Sequence, residues 1–218
     1  MCIRDRSYKF YAVWRNDTSY YSVYYDANGG SGAPSRQTKA STHNLTLSSV
    51  KPTKSFSITY NANGGYTASS GKIVSCSFKS WNTAVNGNGT TYYPGGTYSN
   101  NADVTLYAQW INPTAGALPT PTRDGYTFDG WYTGKEIGTK ITESSTISSN
   151  LTLYAHWKKI TYNLSYNANG GIGAPATQSG STSYTISSTI PTRSGYTFLG
   201  WSKSSSATTP EFRAGNTI

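Results

Sequence analysis

The sequence predicts a mainly β protein made of small modules in tandem. Three observations carry this expectation. A Gly-rich hexapeptide, Y-(N/D)-A-N-G-G, occurs at Tyr25–Gly30, Tyr60–Gly65 and Tyr166–Gly171. The residues ahead of it alternate in polarity with the period of a half-buried strand. The composition is aromatic, with 19 Tyr and 6 Trp in 218 residues, while only 12% are charged. Short strands can draw core area from Tyr and Trp, whereas a disordered chain would show few aromatics and many charges.

Two further strings recur. P-T-R-D-G-Y-T-F-D-G-W at Pro121–Trp131 matches P-T-R-S-G-Y-T-F-L-G-W at Pro191–Trp201. F-Y-A-V-W at Phe10–Trp14, T-L-Y-A-Q-W at Thr105–Trp110 and T-L-Y-A-H-W at Thr152–Trp157 share a third pattern. The order within a unit is hexapeptide, then G-Y-T-F-x-G-W, then T-L-Y-A-x-W. Fixed-order recurrence is the mark of a repeat array. The expected division is 1–14, an odd leader plus the tail of a preceding repeat; 15–110, a module with about 21 extra residues; 111–157, a shortened module; and 158–218, a module that stops before its last strand. The chain thus reads as a segment of a longer array. The leader M-C-I-R-D-R matches nothing else in it and reads as foreign.

The elements follow in order. Val23 and Tyr25 alternate with Tyr24; Tyr162, Leu164 and Tyr166 alternate with Asn163 and Ser165. Each run ends in Asn-Gly-Gly, which tolerates the positive φ of a tight turn, so Gly29, Gly64 and Gly170 are assigned to corners. A phosphate-cradling reading of these glycines fails. Pro34 and Pro175 stand where a helix would have to begin, and neither dinucleotide nor P-loop spacing is present. Leu45–Ser49 and Tyr184–Ser188 read as second strands. Pro52, Pro121 and Pro191 mark loops, since proline is excluded from central strands.

In the third strand, Tyr126 and Phe128 share a face and Trp131 is out of phase with them. A bulge at Gly130 would return Trp131 to the core; the same holds for Tyr196, Phe198, Gly200 and Trp201. Trp81 follows Ser80 instead of a glycine, so that copy is expected to bulge less or not at all. The closing strand places Leu153, Ala155 and Trp157 on one face, making Trp14, Trp110 and Trp157 expected core residues. The shortened module lacks a hexapeptide, and the extra residues of its neighbour bring one at Tyr60. The spare strand around Ser57–Tyr60 is therefore expected to complete the shortened module.

Y-N-A-N-G-G, P-T-R-S-G-Y-T-F-L-G-W, Y-Y-P-G-G-T-Y-S-N-N-A-D-V-T-L-Y-A-Q-W and T-L-Y-A-H-W together resemble the Listeria–Bacteroides repeat family, the internalin B-repeat type, from Tyr8 onward. The resemblance implies a small β-grasp-like, ubiquitin-like fold with at most one short helix per module. It also implies a secreted or wall-attached bacterial surface protein.

The chemistry of an enzyme is not visible. A catalytic centre needs clustered acid, base, nucleophile or metal ligands. His156 occupies a slot that holds Gln109 and Val13 in other copies, and His43 lies in a loop. Asp26, Asp103, Asp124, Asp129, Glu136 and Glu143 read as turn carboxylates. No catalytic residue, cofactor or metal is assigned. Cys2 and Cys76 cannot make a disulfide framework. No apolar run reaches the ~20 residues of a membrane span.

The net charge of +9 comes from scattered residues, which gives no nucleic-acid footprint. The partners expected are neighbouring repeats, with cell-wall or host polysaccharide and polyanions as a further class. Tyr20, Tyr21, Tyr24, Tyr92, Tyr93 and Tyr98 are candidate sugar-stacking residues. Two functions remain: a non-catalytic stalk with a role in adhesion, or a direct glycan- and polyanion-binding module.

Overall fold

The computed structural model describes residues 9–218, so the leader M-C-I-R-D-R and Cys2 lie outside the described residues. Among those described, the chain forms strands and no helix. In order they are β1 (Tyr20–Asp26), β2 (Gln37–Ala40), β3 (Leu45–Thr46), β4 (Ser55–Asn61), β5 (Gly71–Ser75), β6 (Ser77–Asn82) and β7 (Thr91–Tyr92). Then follow β8 (Thr97–Tyr98), β9 (Val104–Ile111), β10 (Tyr126–Tyr132), β11 (Lys140–Ile141), β12 (Leu151–Lys159), β13 (Tyr162–Leu164) and β14 (Gln178–Gly180). The run between the first corner and β2 is irregular. Gly32 there has φ +75°, and Pro34 disfavours helix for the residue before it.

The chain divides into two compact units, each discontinuous in sequence. One runs to Ser57 and resumes over Ile73–Thr114 and Thr146–Asn150; the other comprises Ile58–Lys72, Ala115–Ser145 and Leu151–Ile218. The cause is a pairing that skips along the sequence. The first sheet has the order β2-β1-β9-β6-β7, and the second has β11-β10-β12-β4-β5. The strand β4 arises inside the first module's sequence yet pairs with β12, parallel, with Ile58 opposite Leu151 and Tyr60 opposite Leu153. This is the spare strand completing the shortened module. The chain visits the first sheet, leaves to lay down β4 and β5, returns for β6 to β9, and then finishes the second.

Each five-stranded sheet has the same frame. The opening strand lies parallel to the closing strand, with Val23 opposite Val104 in the first sheet. The G-Y-T-F-x-G-W strand lies antiparallel on the other side of the closing strand. The first core is Val23, Leu47, Trp81, Tyr98, Leu106 and Ala108, all buried. Ile58, Trp131, Ile147, Leu153 and Ala155 hold the counterpart positions in the repeat and are equally buried.

The bulge expected at Gly130 is present: pairing skips between Phe128 and Gly130, and Gly130 has φ +138°. The copy with Ser80 departs from expectation, because pairing skips between Phe78 and Ser80 as well. Only Asn28, Asn63 and Asn169 have positive φ among the described non-glycine residues. Ser80 therefore bulges without leaving the region open to any side chain, and it still delivers Trp81 to the core at 0% exposure.

The third module is built from β13 and β14, paired antiparallel, with single bridges at Ile172–Thr192, Thr185–Thr217 and Trp201–Phe212. Phe198 and Trp201 are half-buried. Trp14 and Tyr196 depart from the core role expected for them. Trp14 is 89% exposed because no described strand pairs with its segment. Tyr196 is exposed, with its ring under the Arg193 guanidinium at 4.1 Å.

Candidate functional site

The recurrent hexapeptide folds into the same corner three times. Asn28, Asn63 and Asn169 adopt φ near +48°, and Gly29, Gly64 and Gly170 follow at +79°, +87° and +86°. Asparagine tolerates this left-handed geometry because its short amide bonds locally. Each Asn backbone N–H donates to the side-chain oxygen two residues earlier: Asp26 at 2.7 Å, Asn61 at 2.9 Å and Asn167 at 2.8 Å. Gly30, Gly65 and Gly171 each donate N–H to the Ala carbonyl three residues back at 3.0 Å.

The corner is tied to the closing strand. Asn28 Nδ2 donates to the Ala108 carbonyl at 2.9 Å, and Asn63 Nδ2 to Ala155 at 3.1 Å. In return, the Trp110 and Trp157 indoles donate to the Ala27 and Ala62 carbonyls at 3.1 and 3.0 Å. A basic residue closes each corner on the outside: Lys54, Arg123 and Arg193 donate to the Asn28, Asn63 and Asn169 carbonyls. The Arg123 guanidinium lies 4.0 Å from the centre of the Tyr126 ring.

Behind the corner a Tyr packs on the bulge Trp. Ring centres of Tyr25 and Trp81, Tyr60 and Trp131, and Tyr166 and Trp201 are 5.0, 5.0 and 4.9 Å apart. The Tyr25 hydroxyl donates to Gln37 Oε1 and accepts from the Ser48 N–H. Tyr166 does the same with Gln178 and Ser187. Tyr60 has no such partner among the described residues. Burial raises the Tyr25, Tyr60 and Tyr98 phenols above their ordinary value.

This arrangement holds strands together and leaves little for a ligand. An anion-cradling loop needs free N–H groups, but the Asn and second-Gly N–H of each corner are already engaged, the Asn one by a side-chain oxygen. Among the described residues, no group of three or more His, Cys, Asp or Glu could hold a metal ion. His156 stacks flat on Tyr132 at 4.0 Å and bonds the Gly134 carbonyl. Asp129 pairs with Lys158 at 2.5 Å and accepts from the Tyr132 hydroxyl. The candidate sugar-stacking tyrosines separate into two groups, with the half-buried Tyr21 between them. Tyr98 is buried and Tyr92 packs on it at 5.7 Å, whereas Tyr20, Tyr24 and Tyr93 are exposed.

Two polar residues of the first module escaped the sequence reading. Lys39 is 4% exposed; its Nζ donates to the Ser99 and Asn100 carbonyls and to Asn101 Oδ1. Nothing in the sequence marks that lysine. Asn82 is 1% exposed and organises the loop after β6, donating to the Gly87 and Gly89 carbonyls and accepting from the Ala84 and Gly89 N–H groups. The Asn-Gly-Asn-Gly run that follows it is a turn signal that could have pointed to it.

The fold and its corners define a class: an all-β tandem-repeat protein whose recurrent residues build modules. The Listeria-Bacteroides repeat domain matches residues 75–109, 112–156 and 162–218, and the chain belongs to that family. It is 30% identical over 162 residues to a protein of Evansella cellulosilytica named as a Gly-rich membrane protein, covering 57% of this chain and 19% of that one. A second Evansella cellulosilytica protein, named as a membrane protein, is 36% identical over 86 residues, covering 38% and 13%. Internalin H of Listeria monocytogenes is 34% identical over 84 residues, covering 37% and 15%. The chain thus spans less than a fifth of the curated relatives it matches. No solved structure matches it. No helix among the described residues is long and apolar enough to cross a membrane.

Proposed function

We propose that the chain is a non-catalytic spacer segment of a secreted or wall-attached bacterial surface protein, extending an adhesive or enzymatic part away from the cell. One observation carries this reading. In both complete sheets the opening strand lies parallel and next to the closing strand. Tension entering at Tyr20 and leaving at Ile111 therefore pulls β1 and β9 past one another, loading their backbone bonds together instead of peeling them singly. β4 and β12 are paired in the same parallel way. The family, and relatives named as membrane proteins and as Internalin H, support the cell-surface setting.

Stretching the chain between its ends in a single-molecule instrument tests this. Abrupt rupture of whole sheets supports the spacer; gradual extension at low force sinks it. A second reading rests on the exposed Tyr20, Tyr24, Tyr66 and Tyr93 and the net charge of +9, which together suit a polysaccharide or polyanion. Heparin binding decides between them. Attraction that falls steeply between about 50 and 200 mM salt favours the second reading, and no binding at either favours the first.

A further inference from the structure

The outer face of the first sheet carries aromatic rings that the fold does not require. Along β1, Val23 enters the core, while Tyr20, Ser22 and Tyr24 lie on the opposite face. Tyr20 is 70% and Tyr24 42% exposed. Four positions along a strand set the two tyrosines about 13 Å apart on one line. Thr38 of β2 stands opposite Ser22, and Thr105 of β9 stands opposite Tyr24. Tyr107, on the same face as Thr105, is half-buried and opposite Asp26.

The repeat separates structural residues from additional ones. Tyr25, which packs on the bulge Trp, recurs as Tyr60 and Tyr166. Tyr20 and Tyr24 do not recur. Their counterparts are Ser55 and Thr59 in the second copy of the strand, and Thr161 and Ser165 in the third. All four are exposed, so this face meets solvent in each copy and small hydroxyl residues suffice there for the fold. The two tyrosines are an addition of the first module.

The open part of the face has one wall and little charge. Beyond β9, Gln109 Nε2 donates to the Ala84 and Val85 carbonyls of the loop after β6, and Ser80 and Asn82 are buried. That loop covers the far half and leaves a shelf over β2, β1 and β9. The shelf is bordered by two carboxylates, Asp26 and Asp103, and by the Arg36 guanidinium at the head of β2. It therefore does not carry the basic excess of a chain with net charge +9. A polyanion has nothing to gain on it.

We propose that this shelf binds a neutral, extended β-linked polysaccharide, with Tyr20 and Tyr24 stacking on the apolar faces of two sugar rings. The inference rests on the polysaccharide reading above and narrows it to one face and one class. Tyrosine suits the task because it offers a rigid ring and a polar tip at low entropic cost. The hydroxyls of Ser22, Thr38 and Thr105 flank the rings and meet sugar hydroxyls. The span between the tyrosines demands an oligosaccharide of several units, so a monosaccharide gains only one contact. A glucan and a chain of N-acetylglucosamine share this chemistry, and the probe separates them.

The test titrates the full chain with cellohexaose and, separately, with chitohexaose, following backbone amide shifts. Shifts are expected in Tyr20–Asp26, Gln37–Ala40 and Val104–Tyr107 with at least one of the two, and which one identifies the sugar. The affinity should be unchanged between about 50 and 200 mM salt, unlike that of a polyanion. Tyr24→Thr is expected to weaken binding at least about tenfold, and Tyr20→Ser with Tyr24→Thr to abolish it. Melting of the double variant should match the parent, because it carries the residues of the second copy. Binding of neither oligosaccharide overturns the proposal. So do shifts confined to other strands, or an affinity that survives in the double variant. Salt-sensitive heparin binding that persists in the double variant, with no response to either oligosaccharide, overturns this site and leaves the polyanion reading standing. Failure of all three ligands sinks both.

Discussion

The indole of Trp157 donates to the carbonyl of Ala62 at 3.0 Å, across 95 positions of sequence. The bond ties the end of β12 to the corner after β4, the strand that comes from inside another module's sequence. Trp157→Phe keeps most of the ring and removes the donor. It is expected to cost about 1 kcal/mol, as for a single neutral hydrogen bond. Trp157→Ala also removes the packing on Phe128, at 5.7 Å between ring centres. It is expected to cost about 3 kcal/mol, the low end for Trp deletions because the ring is only half-buried. Urea unfolding of the two variants, followed by amide exchange in β10 and β12, measures the difference.

Excising Ser55–Ser75 is expected to unfold the second sheet and spare the first. The Cys76 N–H donates to the Lys54 carbonyl at 2.8 Å, so the two ends of the excised piece already meet and can be joined. The remaining chain keeps β1, β9 and β6. It loses β4, whose Ile58 and Tyr60 are buried. Amide protection should vanish over Tyr126–Tyr132 and Leu151–Lys159 while persisting over Val104–Ile111. Protection that persists in β10 and β12 would show that the interleaved strand is dispensable.

How far the sequence could be read depended on the range of each interaction. The corners were legible because Asn-Gly-Gly tolerates the positive φ that most residues avoid. The Gly130 bulge was legible because Phe128 and Trp131 cannot otherwise share a face. The Ser80 bulge was misjudged: the demand of Trp81 for the core outweighed the local preference for glycine. Trp14 satisfies the closing-strand pattern, yet a pattern does not say whether a core is there to receive it. Lys39 was invisible, because its acceptors lie about sixty residues away and are mostly backbone carbonyls.

Gly30→Ala and Gly65→Ala are expected to destabilise their own corners by about 1–3 kcal/mol, the range for overpacking. A Cβ at Gly30 would lie 2.5 Å from the Thr53 carbonyl oxygen and 2.7 Å from Trp110 Cζ2; at Gly65 both the Thr122 oxygen and Trp157 Cζ2 would be at 2.5 Å. The close atoms are backbone and a bonded indole, which cannot easily give way. Differential melting, with Trp fluorescence reporting the indole environment, tests this. A Gly30→Ala chain as stable as the parent would show that the corner is loose.

Lys39→Met is expected to cost about 1.5–3 kcal/mol, as for bonds from a charged donor to buried acceptors. The variant fills the space but leaves the Ser99 and Asn100 carbonyls and Asn101 Oδ1 without the ammonium that now joins them. Exchange should speed up in β1 and β2 and stay the same in β10 and β12. An equal effect on both sheets would contradict an anchor local to the first module.

The pair of Asp129 and Lys158 gives the second sheet a pH signature. The bond from Lys158, and then that from Tyr132, holds the Asp129 carboxyl below its ordinary value of 3.8. The same bond to Asp129 raises Lys158 above 10.5. A carboxyl whose folded pKa is depressed favours folding above its unfolded value, and that contribution fades as the pH falls through the folded one. A lysine with a raised folded pKa favours folding below its unfolded value, and the contribution fades as the pH climbs through the folded one. Asp129→Asn should therefore lower the melting temperature slightly at neutral pH. The gap should close at the acid end, where Asp129 is protonated, and at the alkaline end, where Lys158 loses its proton. Both groups meet solvent, so salt should shrink the gap as well. A gap constant from acid to alkaline pH would mean that Asp129 acts through its bond to Tyr132 and not through its charge.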